Sequence, residues 1–166
     1  MDLLRRCGRS RVTWALLLAL SGLGSAHAAP SQMEGACTAS ASALGLPSSG
    51  AAMLTVLSPR MVYALREWPR MKAAAQERGF EVIVRRDPQV PYDEWRAALL
   101  EADLPELGAV PAIEPELAAS CGLLNHFPST LVARCDHVHP WPVLGVMPSD
   151  MWQVVLAQRL ESLPCL

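Results

Sequence analysis

The segment SPRMVYALREWPRM, residues 58–71, decides the fold, because a strand-to-helix corner is followed there by a helical pattern with an internal proline, Pro69. Residues 53–57 directly precede it as a hydrophobic run in which only Thr55 is polar, and the lack of alternation predicts a short strand buried on both faces. The helical pattern covers residues 60–78 and ends at Gly79, a typical residue for stopping a helix. Such a corner is a typical place for reactive side chains, yet this one contains neither cysteine nor histidine.

The remaining elements predict a mixed sheet. Residues 80–84 are rich in strand-forming side chains, and residues 92–103 show an amphipathic helical pattern. Residues 129–133 and 141–146 predict two more strands joined by a hairpin connection, and Ser149 is a suitable N-cap for a final helix. The order β-α-β, a helix, then β-β-α predicts an α/β fold in which a mixed four-stranded sheet carries helices on both faces.

The N-terminal residues predict export. Four arginines precede an apolar run at residues 12–23, and AHA at residues 26–28 supplies a small-x-small cleavage site, so residues 1–28 are interpreted as a Sec-type signal peptide. The apolar run is shorter than the roughly 20 residues of a spanning helix. We therefore expect a periplasmic protein with no membrane span after cleavage. Residues 29–50, rich in Ala, Ser, Gly and Pro, predict a loosely ordered arm before the folded domain of residues 51–166.

The charge of the chain argues against a nucleic-acid partner. The whole chain has 14 basic and 16 acidic residues, of which the predicted signal peptide carries four and one. The remainder has ten basic and 15 acidic residues, a net charge of −5 with neutral histidines. Binding of phosphates needs clustered lysine and arginine, so we expect no nucleic acid. We likewise expect no cofactor.

Three segments resemble parts of the thioredoxin-like fold. The corner at residues 58–71 is similar to a redox helix that is kinked by a proline, here Pro69. The segment NHFPSTLV, residues 125–132, looks like the loop that holds a cis-proline before a strand, with Pro128 at that position. Residues 144–160 are similar to the last strand, glycine and helix of the fold. The resemblance covers nearly all of the predicted domain.

The resemblance implies a redox site that has lost its thiols. Counting back from the helix proline, the two cysteines of the family would occupy the positions of Met61 and Ala64, so the Cys-x-x-Cys motif is absent and no catalytic residue is expected. Disulfide exchange requires a thiolate, which neither residue supplies. The resemblance also implies that Phe127, Pro128 and Ser129 form a shallow apolar groove near Met61 that receives an extended peptide.

A longer stretch, residues 113–132, resembles a narrower family. IEPELAASCGLLNHFPSTLV looks like the Ile-Asp-Pro-x-Leu, aromatic, Val-Pro-Thr run of exported thioredoxin-like proteins of the TrbC type, which assist the assembly of conjugative pili or type IV secretion systems. Glu114 stands at the position of the aspartate, Cys121 at that of the aromatic residue, and Phe127 precedes the proline. This resemblance implies a protein partner in the cell envelope.

The cysteines predict two disulfides. Cys37, Cys121, Cys135 and Cys165 remain after signal cleavage, and an even number in an oxidising compartment allows three pairings. The strand that follows Pro128 carries the chain roughly 23 Å to Cys135. After the fourth strand has returned, the last helix runs about 22 Å outward again, which places Cys165 near Cys135. We therefore predict Cys135–Cys165 and, by elimination, Cys37–Cys121.

Three functions are compatible with these patterns. We favour a non-catalytic domain that binds protein partners. The alternative is a periplasmic thiol-disulfide oxidoreductase or isomerase that acts through Cys121. A weaker alternative is a periplasmic metal-binding protein in which Cys135, His137 and His139 share one face of an extended strand and bind copper or zinc. A turn at this place would separate the three side chains.

Overall fold

The computed structural model describes residues 36–165, so the predicted signal peptide and the start of the predicted arm lie outside the described residues. The last helix begins at Ser149, so the predicted N-cap is its first residue, and the N-cap position is occupied by Pro148. Within the described range, every helix falls short of the length and hydrophobicity that a membrane span requires. The elements in chain order are β1 (Ala51–Leu57), α1 (Val62–Glu77), β2 (Glu81–Arg86), α2 (Tyr92–Ala102), α3 (Pro115–Ser120), β3 (Ser129–Arg134), β4 (His137–Val138), β5 (Val143–Leu144) and α4 (Ser149–Glu161).

The sheet is mixed, as predicted. Its strand order is β2-β1-β3-β4, and β5 also pairs with β3. β1 is parallel to β2 and antiparallel to β3. Because parallel neighbours need a crossover connection, α1 lies between β1 and β2 in the chain and packs on one face of the sheet.

The return strand differs from the prediction. In place of one strand at residues 141–146, the two short strands β4 and β5 pair with opposite ends of β3. Pro140 and Pro142 lie between them, and since proline has no N–H to donate, the ladder breaks there. The predicted count of four strands is therefore wrong. The connection after β3 is a tight turn at Cys135 and Asp136, in which Cys135 has a φ of 55°.

One face of the sheet packs against α1 and α4. Met53 of β1 and Trp152 of α4 are fully buried in the same cluster. Glu67 of α1 is only 1% exposed, and its carboxylate accepts a hydrogen bond from Trp152 Nε1 at 3.0 Å and pairs with Arg70. A buried carboxylate without partners would be strongly destabilising, so both bonds satisfy Glu67, and the bond from Trp152 holds α1 against α4.

The opposite face is covered by residues 36–50 and α3. Leu44 and Leu46 are buried in one cluster with Leu54 of β1 and Ala118 of α3. The prediction of a loosely ordered arm is therefore wrong for residues 36–50. The physical reason is that its leucines cover apolar sheet surface, and burial of each such side chain contributes roughly 1.5–3 kcal/mol.

The two disulfides pair as the sequence predicts, Cys37 with Cys121 and Cys135 with Cys165. The first lies in the buried cluster beneath residues 36–50, with Cys37 5% and Cys121 0% exposed. The second joins the β3–β4 turn to the chain after α4, where Cys165 is exposed. The two bonds thus stabilise different ends of the domain.

Candidate functional site

The end of β1 and the loop before β3 meet at one corner of the sheet. Val56 pairs with Ser129, so the turn that leads from β1 into α1 lies beside Pro128. The Phe127–Pro128 peptide bond is cis. The structure therefore brings the N-terminus of α1 and the cis-proline loop together.

Apolar side chains occupy the two positions at which the resemblance places redox cysteines. Met61 is the N-cap residue of α1, and Ala64 is fully buried in its first turn. The Ala64 N–H donates to the Met61 carbonyl at 2.8 Å, so the two residues lie within one helical turn. Every cysteine between residues 36 and 165 is in a disulfide. This corner therefore has no thiolate nucleophile.

The loop residues predicted to line a groove face mainly inward. Pro128 and Ser129 are buried, and Phe127 is half-buried against the cluster beneath it. The Ser129 hydroxyl donates to the Leu123 carbonyl at 2.6 Å. Ser129 therefore supports the loop and does not present its side chain to a ligand.

Exposed apolar side chains surround this corner, and the sequence patterns did not single them out. Val62 and Tyr63, in the first turn of α1, are 62% and 65% exposed. Leu144 and Val146 are 44% and 47% exposed, and Leu144 pairs with the residue after Pro128. Because β3 lies between β1 and β5, the two pairs flank the proline. We call these four exposed side chains the apolar corner, and such groups mark interaction surfaces.

Gly145 keeps the cis-proline loop next to β5. Its N–H donates to the Pro128 carbonyl at 2.8 Å, and its φ of 80° is a conformation that favours glycine. A Cβ at this position would lie 3.2 Å from Nε2 of His126. The local geometry therefore requires glycine at this position.

A buried polar pair supports the corner on the side of β2. The Ser58 hydroxyl donates to Oδ2 of Asp87 at 2.8 Å, and the Gln89 N–H donates to Oδ1 at 2.9 Å. The bonds tie the residue after β1 to the residue after β2, and we interpret the pair as a structural clamp. The sequence analysis did not identify this pair.

The three candidate metal ligands do not converge. Cys135 is bonded to Cys165, so its sulfur is not a free ligand. The tight turn after β3 leaves His137 exposed, whereas His139 is buried with Arg159 Nη1 at 2.7 Å from its Nε2. In the described part of the chain, no group of three His, Cys, Asp or Glu side chains is arranged to hold a metal ion.

We expect His139 to make the protein less stable as the pH falls. Burial, and then the Arg159 guanidinium, lower the pKa of His139 below its ordinary value of 6.5, although a hydrogen bond with the Trp141 backbone opposes this. The unfolded chain therefore binds this proton more readily. The contribution of His139 to the free energy of unfolding is therefore present above pH 6.5. It is lost as the pH falls toward the pKa of His139 in the folded protein.

The measurement is the urea midpoint at about pH 7.5 and about pH 5.5. The decrease between the two should be smaller in His139→Gln than in the unchanged protein. Equal decreases in both proteins would show that His139 does not contribute.

Solved structures share this architecture at low sequence identity. The chain is similar to the pneumococcal exposed lipoprotein thioredoxin Etrx1 of Streptococcus pneumoniae, with a TM-score of 0.54 and 14% identity over 67% of this chain and 86% of that one. It is also similar to a thiol:disulfide interchange protein of the thioredoxin family from Chlorobium tepidum, with a TM-score of 0.49 and 14% identity over 72% and 83%. No protein-family model and no curated protein sequence matches the chain.

The predicted thioredoxin-like fold is thereby confirmed. The strand order, the cis-proline loop beside the N-terminus of α1 and the likeness to Etrx1 agree on this point. At these identities the likeness concerns the fold. The function of the chain therefore depends on the residues at the N-terminus of α1 and in the cis-proline loop.

Proposed function

We propose that this chain is an exported, non-catalytic thioredoxin-like protein that binds an extended segment of another protein of the cell envelope at the apolar corner. The supporting observation is that exposed Val62 and Tyr63 adjoin apolar Met61 and Ala64, at the positions of the family's cysteines. Disulfide exchange needs a thiolate at such a place, whereas peptide binding needs accessible apolar surface. The corner offers apolar surface and has no thiol.

A thiol-disulfide oxidoreductase acting through Cys121 has weaker support. Cys121 is 0% exposed and bonded to Cys37, beneath residues 36–50. Exchange requires a thiolate to reach one of the two sulfurs in line with the bond. Residues 36–50 would have to detach from the sheet before that could happen.

The narrower role is assembly of a conjugative pilus or a type IV secretion system. Support for it is the resemblance of residues 113–132, in which α3 begins directly after Glu114. The periplasmic location is supported by the signal-like pattern of residues 1–28. Loss of conjugative transfer on deletion of the gene would support this narrower role, and unchanged transfer would exclude it.

The first experiment separates binding from catalysis. The purified mature protein should not accelerate insulin reduction above the rate of dithiothreitol alone, because no free thiol adjoins the corner. Acceleration that disappears in Cys37→Ala/Cys121→Ala, with the variant still folded by circular dichroism, would establish the oxidoreductase instead.

The second experiment tests the apolar corner with reduced, carboxymethylated lactalbumin, an unfolded chain that cannot form disulfides. Tyr63→Asp should weaken its binding roughly tenfold, because a charge replaces a central aromatic contact. Leu100→Asp is the matched control, since Leu100 is 79% exposed on α2 and lies beside Pro105 and Gly108 rather than among the α2 residues next to Val62. Equal weakening by both variants, or by neither, would exclude the corner as the binding surface.

A further inference from the structure

The outer edge of β2 presents unpaired backbone groups. β2 is an end strand of the sheet, and the Asp87 N–H points inward to the Leu57 carbonyl. Arg86 points outward, because its N–H donates to Pro111 and its carbonyl accepts from Ile113. The direction alternates along a strand, so the backbone groups of residues 82 and 84 also point outward. Within residues 36–165, neither N–H of these two residues donates to a backbone carbonyl outside the sheet ladder.

This edge forms one side of a groove whose other side is the chain at residues 106–111. The groove is distinct from the apolar corner, with which it shares no residue. Its lining includes Trp68, Lys72, Val82, Val84, Leu107 and Val110.

A buried donor in the groove also has no partner. Trp68 is 2% exposed, and its indole Nε1–H makes no hydrogen bond within the described part of the chain. A buried polar group without a partner costs roughly 1–3 kcal/mol, and tryptophan N–H groups usually find an acceptor when buried. Trp68 and the two valines with outward N–H groups thus line the same groove.

We propose that the groove binds an extended segment of a partner protein, which adds to β2 as a further strand. Carbonyls of that segment accept hydrogen bonds from the N–H groups of Val82 and Val84, and one acceptor reaches the Trp68 indole. Addition of a strand to an open sheet edge is a general mode of peptide recognition. The site is independent of the function proposed for the apolar corner.

The groups available in the groove define the chemistry of the partner. Arg85 Nη1 donates to the Val84 carbonyl at 3.0 Å, so at that residue only the N–H is free. Lys72 and Arg85 supply two positive charges at the groove, against one negative charge from Glu106. A segment with alternating apolar side chains and a carboxylate therefore fits best.

The groove favours an extended segment over the edge of a second copy. The chain at residues 106–111 comes within hydrogen-bond distance of β2 at one end of the groove, where the Arg86 N–H donates to the Pro111 carbonyl at 3.0 Å. Along the rest of the edge, Leu107 and Val110 line the opposite side. A single strand occupies about 4.8 Å beside its neighbour, whereas a folded sheet edge would bring its own covering layers into the same space.

The probe is the acetylated peptide Val-Thr-Val-Glu-Val-Thr-Val. We expect it to shift the NMR signals of the Val82 and Val84 amides and of the Trp68 indole N–H. Trp68→Phe keeps the ring and removes the donor, and Val84→Pro removes an outward N–H without breaking the pairing with β1. Each should weaken binding roughly tenfold, whereas Tyr63→Asp, which lies outside the groove, should change it little.

Three results would overturn the proposal. The first is that the peptide does not bind, or binds equally well when lysine replaces the glutamate. The second is that the peptide still shifts the Val82 amide and Trp68 indole signals of Val84→Pro at the same concentration as in the unchanged protein, with the fold of the variant verified by circular dichroism. The third is slow hydrogen exchange of the Val82 and Val84 amides in the free protein, since that would mean that the edge is already covered.

Discussion

A variant carrying Met61→Cys and Ala64→Cys should reduce insulin in the presence of dithiothreitol, whereas the unchanged protein should not. Met61 caps α1, and the first turn of that helix contains no acidic residue to oppose a thiolate. A cysteine at such a helix N-terminus has its pKa lowered from about 8.5 toward about 7, which raises the thiolate fraction at neutral pH by roughly 15-fold. The hydrogen bond from Ala64 to Met61 sets the one-turn spacing that a disulfide can bridge.

The single variants provide the controls for this gain of activity. Met61→Cys alone should be alkylated by iodoacetamide roughly tenfold faster than Leu100→Cys, because only the first cysteine adjoins a helix N-terminus. Neither single variant should turn over insulin, since the second thiol is needed to resolve the mixed disulfide. If the double variant folds and forms its new disulfide but remains inactive, the corner no longer provides the environment for disulfide exchange.

The first half of the fold is predictable from local patterns. Residues 53–57 are apolar apart from Thr55 and lie within β1, and Gly79 follows the end of α1 with a φ of 73°. Both signals act over a few neighbouring residues, so a single sequence contains them in full. The disulfide pairs were also predictable, because strand and helix lengths limit how far each cysteine lies from the others.

Features that depend on distant partners were not predictable in the same way. Leu44 and Leu46 are buried only because α3 leaves part of the sheet uncovered, and composition alone does not show this. The gap between β4 and β5 depends on the positions of Pro140 and Pro142 opposite β3, which a single sequence does not show. At the site, counting back from Pro69 identified Met61 and Ala64, whereas helical periodicity could not show that Val62 and Tyr63 face solvent.

Removal of the buried disulfide in Cys37→Ala/Cys121→Ala should destabilise the domain by roughly 4.5 kcal/mol, the loop-closure value for a sequence separation of 84 residues. That is a large part of the 5–15 kcal/mol typical of a folded domain. The bond also holds residues 36–50 on the sheet, where Leu44 and Leu46 cover Leu54. Its loss should expose that face, which dye binding and the urea midpoint would report.

The exposed disulfide provides the matched control. It closes a separation of 30 residues, for which the same estimate is roughly 3.7 kcal/mol, and its ends lie outside the buried cluster beneath residues 36–50. Cys135→Ala/Cys165→Ala should therefore cost less and leave the dye signal unchanged. If the two double variants lose equal stability without dye binding, residues 36–50 do not depend on their disulfide. A Cys121 thiol could then become accessible at little cost, which would favour the oxidoreductase over the binding protein.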